Sequence, residues 1–179
     1  MKKIAVVGAH GTGKTTLCCN LMARCQDNQF CVEMIPEIIR MCPLPIHEEQ
    51  TIESTLWIAC RQIELELEAE HRSPDFLICD RTAIDPLVYL WAYHPNEHLD
   101  DHMAGFIEDY FRVSYGEIYL VRPSEKKIDN DEFRLMDKEF QYRVHDIFAY
   151  WLGGHYTNVD SDDIFGENTD KLCKKILGF

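Results

Sequence analysis

Gly8-Ala9-His10-Gly11-Thr12-Gly13-Lys14-Thr15 puts a lysine and a hydroxyl straight after a glycine-rich run. The pattern is Gly, four free residues, then Gly-Lys-Ser/Thr, and the chemistry it serves is the cradling of phosphate. Glycines at 8, 11 and 13 let the backbone take positive φ and come close to an anion. The loop amides then form a nest at a helix N-terminus, where the helix dipole also favours negative charge. Lys14 is placed to reach β- and γ-phosphates, and the Thr15 hydroxyl to meet Mg2+. His10 fills a free position and is read as a loop residue near the phosphates, not as a base. The expected nucleotide-binding set is Gly8, His10, Gly11, Thr12, Gly13, Lys14, Thr15 and Thr16.

A second group lies at Phe76-Leu77-Ile78-Cys79-Asp80-Arg81-Thr82. An apolar strand ending in Asp delivers a carboxylate to the C-terminal edge of a sheet, beside a phosphate loop. Asp80 is therefore the expected second Mg2+ ligand, direct or through water. Arg81, next to it, is suited to clamp a phosphate or a hydroxyl-bearing acceptor. Asp85 precedes Pro86 and fits a helix N-cap first and a ligand contact second. Trp57, Trp91, Tyr89 and Tyr93 are candidates to stack an acceptor base, although aromatics at helical spacing more often belong to a core.

These residues need a scaffold. Apolar runs at Ile4–Val7, Cys31–Ile35, Phe76–Cys79, Glu117–Val121 and Tyr156–Val159 read as short buried strands. Between them, helical periodicity covers 14–26, 46–71, 83–93, 100–113, 137–152 and 168–177. Within 46–71, Glu64-Leu65-Glu66-Leu67-Glu68 alternates like a strand, but Ile52, Leu56, Ala59, Cys60, Ile63 and Leu67 recur every three or four residues. Alternating strands and helices predict an α/β fold with a parallel sheet covered on both faces.

At 179 residues the chain is expected to form one domain over 1–179. The net charge of −13 disfavours extended nucleic-acid binding, while leaving room for a small anion in a local basic pocket. No apolar run is long enough for a membrane span, and no signal peptide is read at the N-terminus. The eight cysteines contain no C-x-x-C pair, which predicts reduced, mostly buried thiols, a cytoplasmic setting and no zinc site.

The phosphate loop, Asp80-Arg81-Thr82-x-x-Asp85, Pro36-Glu37-x-x-Arg40 and the late Asp131-x-Phe133-Arg134 together resemble the small P-loop kinases of nucleosides and nucleotides. Within that group the likeness is nearest to nicotinamide riboside kinase-type domains. The resemblance implies a P-loop three-layer sandwich with sheet order 2-3-1-4-5, a substrate-side helical region and a lid. It implies that Glu37 orients an acceptor hydroxyl or acts as general base, and that Arg40, one turn on, contacts acceptor phosphate. The lid falls at about 122–136, where Arg122 and Arg134, with Arg143 third, are the expected stabilisers of transition-state charge. A Gly-bearing lid pattern common in such kinases is replaced here by Glu132-Phe133-Arg134-Leu135. The loop after the last strand, Asn158-Val159-Asp160-Ser161, falls where such kinases contact adenine.

The function expected is Mg2+-assisted phosphoryl transfer from ATP to a small nucleoside- or nucleotide-like acceptor. The catalytic set is Lys14, Glu37, Arg81, Arg122 and Arg134, with Thr15 and Asp80 for the metal. A nucleotide-dependent switch without a small acceptor is the alternative, and a polynucleotide 5′-kinase is penalised by the acidic charge. No Asn-Lys-x-Asp motif supports a guanine-specific switch, and the chain is short for a remodelling machine. A homodimer is left open.

Overall fold

The structure is a computed structural model and describes residues 1–97, 99–124 and 138–179. Five parallel strands form one sheet in the order β2-β3-β1-β4-β5. They are β1 (Lys2–Gly8), β2 (Val32–Ile35), β3 (Phe76–Asp80), β4 (Glu117–Arg122) and β5 (Thr157–Asp160). The helices among the described residues are α1 (Lys14–Asp27), α2 (Ile52–His71), α3 (Asp85–Tyr93), α4 (Asp101–Ser114), α5 (Lys138–Leu152), α6 (Ser161–Ile164) and α7 (Thr169–Leu177). The expected class and strand order both hold.

Strand periodicity assigns the two faces. Ile4, Val6, Phe76, Ile78, Tyr119, Val121 and Val159 face one side and pack on Leu17 and Leu21 of α1 and Ile176 of α7. Val7 and Leu120 face the other side, against α3 and α5 through Val88, Val144 and Phe148. Leu77 and Cys79 meet Ile58 and Ala69 of α2 on the flank of that side. Each large side chain buried this way contributes about 1.5–3 kcal/mol, so the central strands are held by packing well before any polar contact is counted.

Two expected boundaries shift. Helix α2 begins at Ile52 and not at 46, because Thr51 accepts from the Ser54 amide while the Ser54 hydroxyl accepts from the Thr51 amide. That reciprocal cap sets the first turn. Upstream lie only 3-10 turns at Ile38–Met41 and His47–Glu49. Asp85 is not an N-cap: Ile84 is, and Asp85 is the first residue of α3. Its Oδ2 instead accepts from the Thr82 amide at 2.8 Å and the Thr82 hydroxyl at 2.7 Å.

The cysteines are all free, but only half are buried. Cys18, Cys25, Cys79 and Cys173 lie in the interior, Cys42 is intermediate, and Cys19, Cys31 and Cys60 are exposed. The expectation of mostly buried thiols fails because Cys19 and Cys60 fall on the solvent faces of α1 and α2, one residue round from the core stripe. No described helix is long and apolar enough to cross a membrane.

Candidate active site

The phosphate loop joins β1 to α1 at the C-terminal edge of the sheet. Gly8, Gly11 and Gly13 take φ values of 135°, 71° and 91°. At Gly8 the need is absolute, since a Cβ would stand 2.6 Å from the Val121 carbonyl oxygen. Gly13 caps α1 in a left-handed conformation, with no side-chain cap and no acidic residue in the first turn. The first amides of α1 are thus left to an anion, and nothing negative in that turn competes for the dipole.

Lys14 is buried, its ammonium folded back onto the Ala9 carbonyl. Burial lowers its pKa to about 7, Arg81 adds to the fall, and Glu37 and Asp80 only partly offset it. Gln141 of α5 donates to the His10 carbonyl at 2.6 Å, pinning the loop from outside. His10 itself is buried between Tyr89 and Phe140, with ring centroids at 6.4 and 5.9 Å.

Asp80 ends β3 beside this loop. Its Oδ2 accepts from the Thr15 hydroxyl at 2.6 Å, and its buried Oδ1 finds no hydrogen-bond partner among the described residues. Burial pushes its carboxyl above the usual range, with Thr15 and Lys14 pulling it back. A buried carboxylate with an idle oxygen next to a threonine hydroxyl is a donor set that fits Mg2+, which takes one or two protein oxygens and completes its shell with water and phosphate. The described residues hold no cluster of three or more His, Cys, Asp or Glu able to bind a metal, and an octahedral Mg2+ site of this kind does not require one.

Arg81 is buried and sits at φ 85°, a left-handed conformation that a side chain rarely adopts. Its Nε donates to Glu37 Oε1 at 2.8 Å and one terminal nitrogen to Asp85 Oδ1 at 3.0 Å. Its guanidinium lies 5.1 Å from the centre of the Tyr89 ring. Glu37 receives Arg40 Nε on its other oxygen at 2.7 Å. Burial alone would raise the Glu37 pKa, but Arg81, Lys14 and the two guanidinium hydrogen bonds hold it well below the carboxylate range. Arg40 is therefore directed onto Glu37, a neighbour on its own turn.

Beside Arg81 a narrow cleft of about 20 Å3 is lined by Ile38, Gln50, Gln62, Asp85 and Tyr89. A void of this size takes about one water molecule, so a larger occupant requires side chains to move. Gln50 donates to the Thr55 hydroxyl and the Pro86 carbonyl, both at 2.8 Å, leaving its buried Oε1 without a partner among the described residues. Neither glutamine was picked out from the sequence. The available signal was Gln62 on the apolar stripe of α2, between Ile58, Ala59 and Ile63. A roomier cavity of about 620 Å3 lies elsewhere, lined by Ile84, Phe111, Tyr115 and Trp151 with Glu108 and Arg112, and contains no residue of the phosphate loop.

The remaining candidates separate. Tyr93 stacks on Phe140 with centroids 4.4 Å apart, on the His10 side of Tyr89. Trp91 instead packs on Trp151 at 4.7 Å, and Trp57 joins the Ile35, Ile38 and Ile58 cluster. Neither tryptophan lines the cleft, although Trp57 packs behind its Ile38 and Ile58 wall. Arg122 is exposed at the end of β4, with Nε donating to Asn158 Oδ1 at 3.3 Å. Arg143 points to the end of α3, donating to the Ala92 carbonyl at 3.4 Å. Arg134 and most of the 122–136 stretch lie outside the described residues. Phe165, half-exposed just beyond α6, flanks the loop: a Cβ on Gly13 would meet its ring at 2.7 Å.

A family profile described as "AAA domain" matches residues 3–161. By sequence, no curated protein matches the chain. Among solved structures, deoxyadenosine kinase from M. mycoides with bound dATP is similar, with a TM-score of 0.61 at 15% identity, covering 100% of both chains. The same enzyme with the products dCMP and a flexible dCDP gives 0.65 at 15% identity, over 99% of this chain and 100% of that one. With bound dCTP it gives 0.60 at 14% identity, again over 99% and 100%. These likenesses show a nucleoside kinase-like fold.

Proposed function

The chain belongs to the AAA-domain family, and from that premise we propose that it transfers the γ-phosphoryl of ATP to a small nucleoside- or nucleotide-like acceptor. The observation behind it is that the Glu37–Arg81–Asp85 cluster adjoins the phosphate loop: Arg81 follows Asp80, whose carboxylate takes the Thr15 hydroxyl, and its amide donates to the Val6 carbonyl near the end of β1. Such a cluster beside the loop supplies a carboxylate to orient a hydroxyl and a cation to stabilise developing charge.

On the donor side, the α1 amides and Lys14 hold the β- and γ-phosphates, and anionic oxygens draw Lys14 off the Ala9 carbonyl. Thr15 and Asp80 would hold Mg2+, which when bound neutralises charge between the β- and γ-phosphates. The exposed ring of Phe165 beside Gly13 offers a flat apolar surface for the donor base.

On the acceptor side, Glu37 is too weakly basic in this setting to gain much by taking a proton. Its role in this reading is to orient the acceptor hydroxyl, with Arg81 stabilising charge as transfer proceeds. Gln50 Oε1 and Gln62, in the adjoining cleft, are suited to the polar edge of a base or sugar. The M. mycoides enzyme with its deoxynucleotides makes deoxyadenosine and deoxycytidine the first acceptors to try, and the nicotinamide riboside kinase resemblance adds a third. Arg122 and Arg134 remain the lid arginines of this proposal.

The test is a panel of these three nucleosides and their monophosphates with ATP or GTP, scored by mass spectrometry for phosphorylated product. Product with at least one acceptor is expected. If none stimulates ATP consumption and ADP binds as tightly as ATP, the switch reading replaces this one.

A further inference from the structure

The segment carrying Arg81 rests on a buried carboxylate that the reaction above does not use. Glu66 of α2 is completely buried, and its carboxylate takes Lys3 Nζ at 2.8 Å, the Tyr110 hydroxyl at 2.8 Å, the Tyr115 hydroxyl at 2.6 Å and Gln62 Nε2 at 2.6 Å. Lys3 supplies the counter-charge. Burial opposes its ammonium, but Glu66 and Glu70 outweigh that and raise its pKa.

An ionised carboxylate only accepts hydrogen bonds, and this gives the network a direction. Tyr115 must point its proton at Glu66, so its oxygen is left to accept, and the Ala83 amide donates to it at 3.3 Å. Gln62 must turn its NH2 toward Glu66, and the same nitrogen donates to the Arg81 carbonyl at 3.3 Å. Two peptide groups flanking Thr82 are thereby tied to one buried charge. The left-handed backbone at Arg81 is strained and persists only where its surroundings over-determine it.

We propose that Glu66 and Tyr115 are positioning residues, which hold the Arg81–Ala83 backbone in its strained form and so aim the Arg81 guanidinium at Glu37. The catalytic consequence rests on the kinase reading; the brace itself does not.

Two single substitutions separate positioning from simple support. Tyr115→Phe and Tyr110→Phe each remove one hydroxyl from Glu66, but only Tyr115 touches the Arg81 loop. In the ligand-free protein, amide hydrogen exchange over residues 80–84 should accelerate at least about fivefold in Tyr115→Phe and stay unchanged in Tyr110→Phe. With the best acceptor of the panel, kcat should fall about tenfold in Tyr115→Phe while the KM for ATP stays within about twofold. The paired variant Lys3→Met/Glu66→Gln, which removes both charges together, should reproduce the Tyr115→Phe exchange. Equal exchange in the two tyrosine variants overturns the brace. Faster exchange at 80–84 with kcat unchanged overturns its catalytic use. A parent protein that phosphorylates no acceptor counts against the kinase reading instead, and the exchange comparison still decides the brace.

Discussion

The Thr15 hydroxyl donates to Asp80 Oδ2 at 2.6 Å, joining the first turn of α1 to the end of β3. The other carboxylate oxygen, buried and idle, is where a divalent cation gains most. Asp80→Asn replaces a charged acceptor by an amide that can also donate. The Mg2+ concentration for half-maximal activity should rise at least about tenfold in Asp80→Asn, and chelation should abolish transfer by the parent. Equal Mg2+ requirements in the two proteins would remove Asp80 from the metal site.

With Lys14 on the phosphates, as proposed, nucleotide binding becomes a proton-linked event. Its pKa near 7 leaves it mostly neutral at pH 8, and bound phosphates favour the charged form. Binding at pH 8 should therefore take up a proton, and the uptake should shrink below pH 7, where the lysine is already charged. Calorimetry in buffers of different ionisation enthalpy reads this directly, and Lys14→Ala should lose both the uptake and the activity while the fold stays intact. The same shift bears on stability. The unfolded lysine keeps its proton up to about 10.5, so charging Lys14 opposes folding below about pH 7, and this penalty fades as pH rises toward 10.5.

Gly8 and Gly105 should respond oppositely to alanine. At Gly8 the positive φ and the Val121 carbonyl combine, so Gly8→Ala should destabilise by about 3 kcal/mol. Gly105 lies inside α4 with nothing within 4 Å of an added Cβ, so Gly105→Ala should stabilise by about 0.5–1 kcal/mol. Urea denaturation checks both. A neutral Gly8→Ala would mean that the loop opens away from β4 in solution.

Arg81 sits between the buried Asp85 and the partly buried Glu37, so losing it should cost more than one ion pair. Arg81→Met leaves Glu37 and Asp85 without their shared cation and should destabilise by about 3–5 kcal/mol. Arg81→Lys keeps the charge but cannot fork to both acceptors, so it should recover stability in part and activity little. Acid should act on the same cluster. Because the Glu37 pKa is depressed on folding, its stabilising contribution is present above the ordinary carboxylate range and lost as pH falls toward the folded value. In Arg81→Met that acid-dependent loss should flatten.

Much of this was legible in the chain itself. The phosphate loop is a local motif, and its glycines, Lys14 and Thr15 need only the strand before and the helix after to be placed. Asp80 and Arg81 follow because a five-residue apolar strand has one exit, at the sheet edge. The sheet order came from the likeness of the whole chain and not from any single segment. Side-chain direction was not legible: Arg40, expected on an acceptor phosphate, is turned onto Glu37, while Trp57 and Trp91 pack on apolar neighbours, as their helical spacing favoured.

By itself, then, the sequence determined the shape of the phosphate loop, because its residues are contiguous in the chain and their backbone geometry is imposed by glycine and by a helix start. Only the tertiary structure decided what surrounds them: that Glu37 and Asp85 share one guanidinium, that Gln50 and Gln62 line a cleft, and that Glu66 reaches the Arg81 loop through Tyr115. The physical reason is that a buried charge is stable only where donors and acceptors from different elements converge on it, and that convergence is set by packing, which no local spacing encodes.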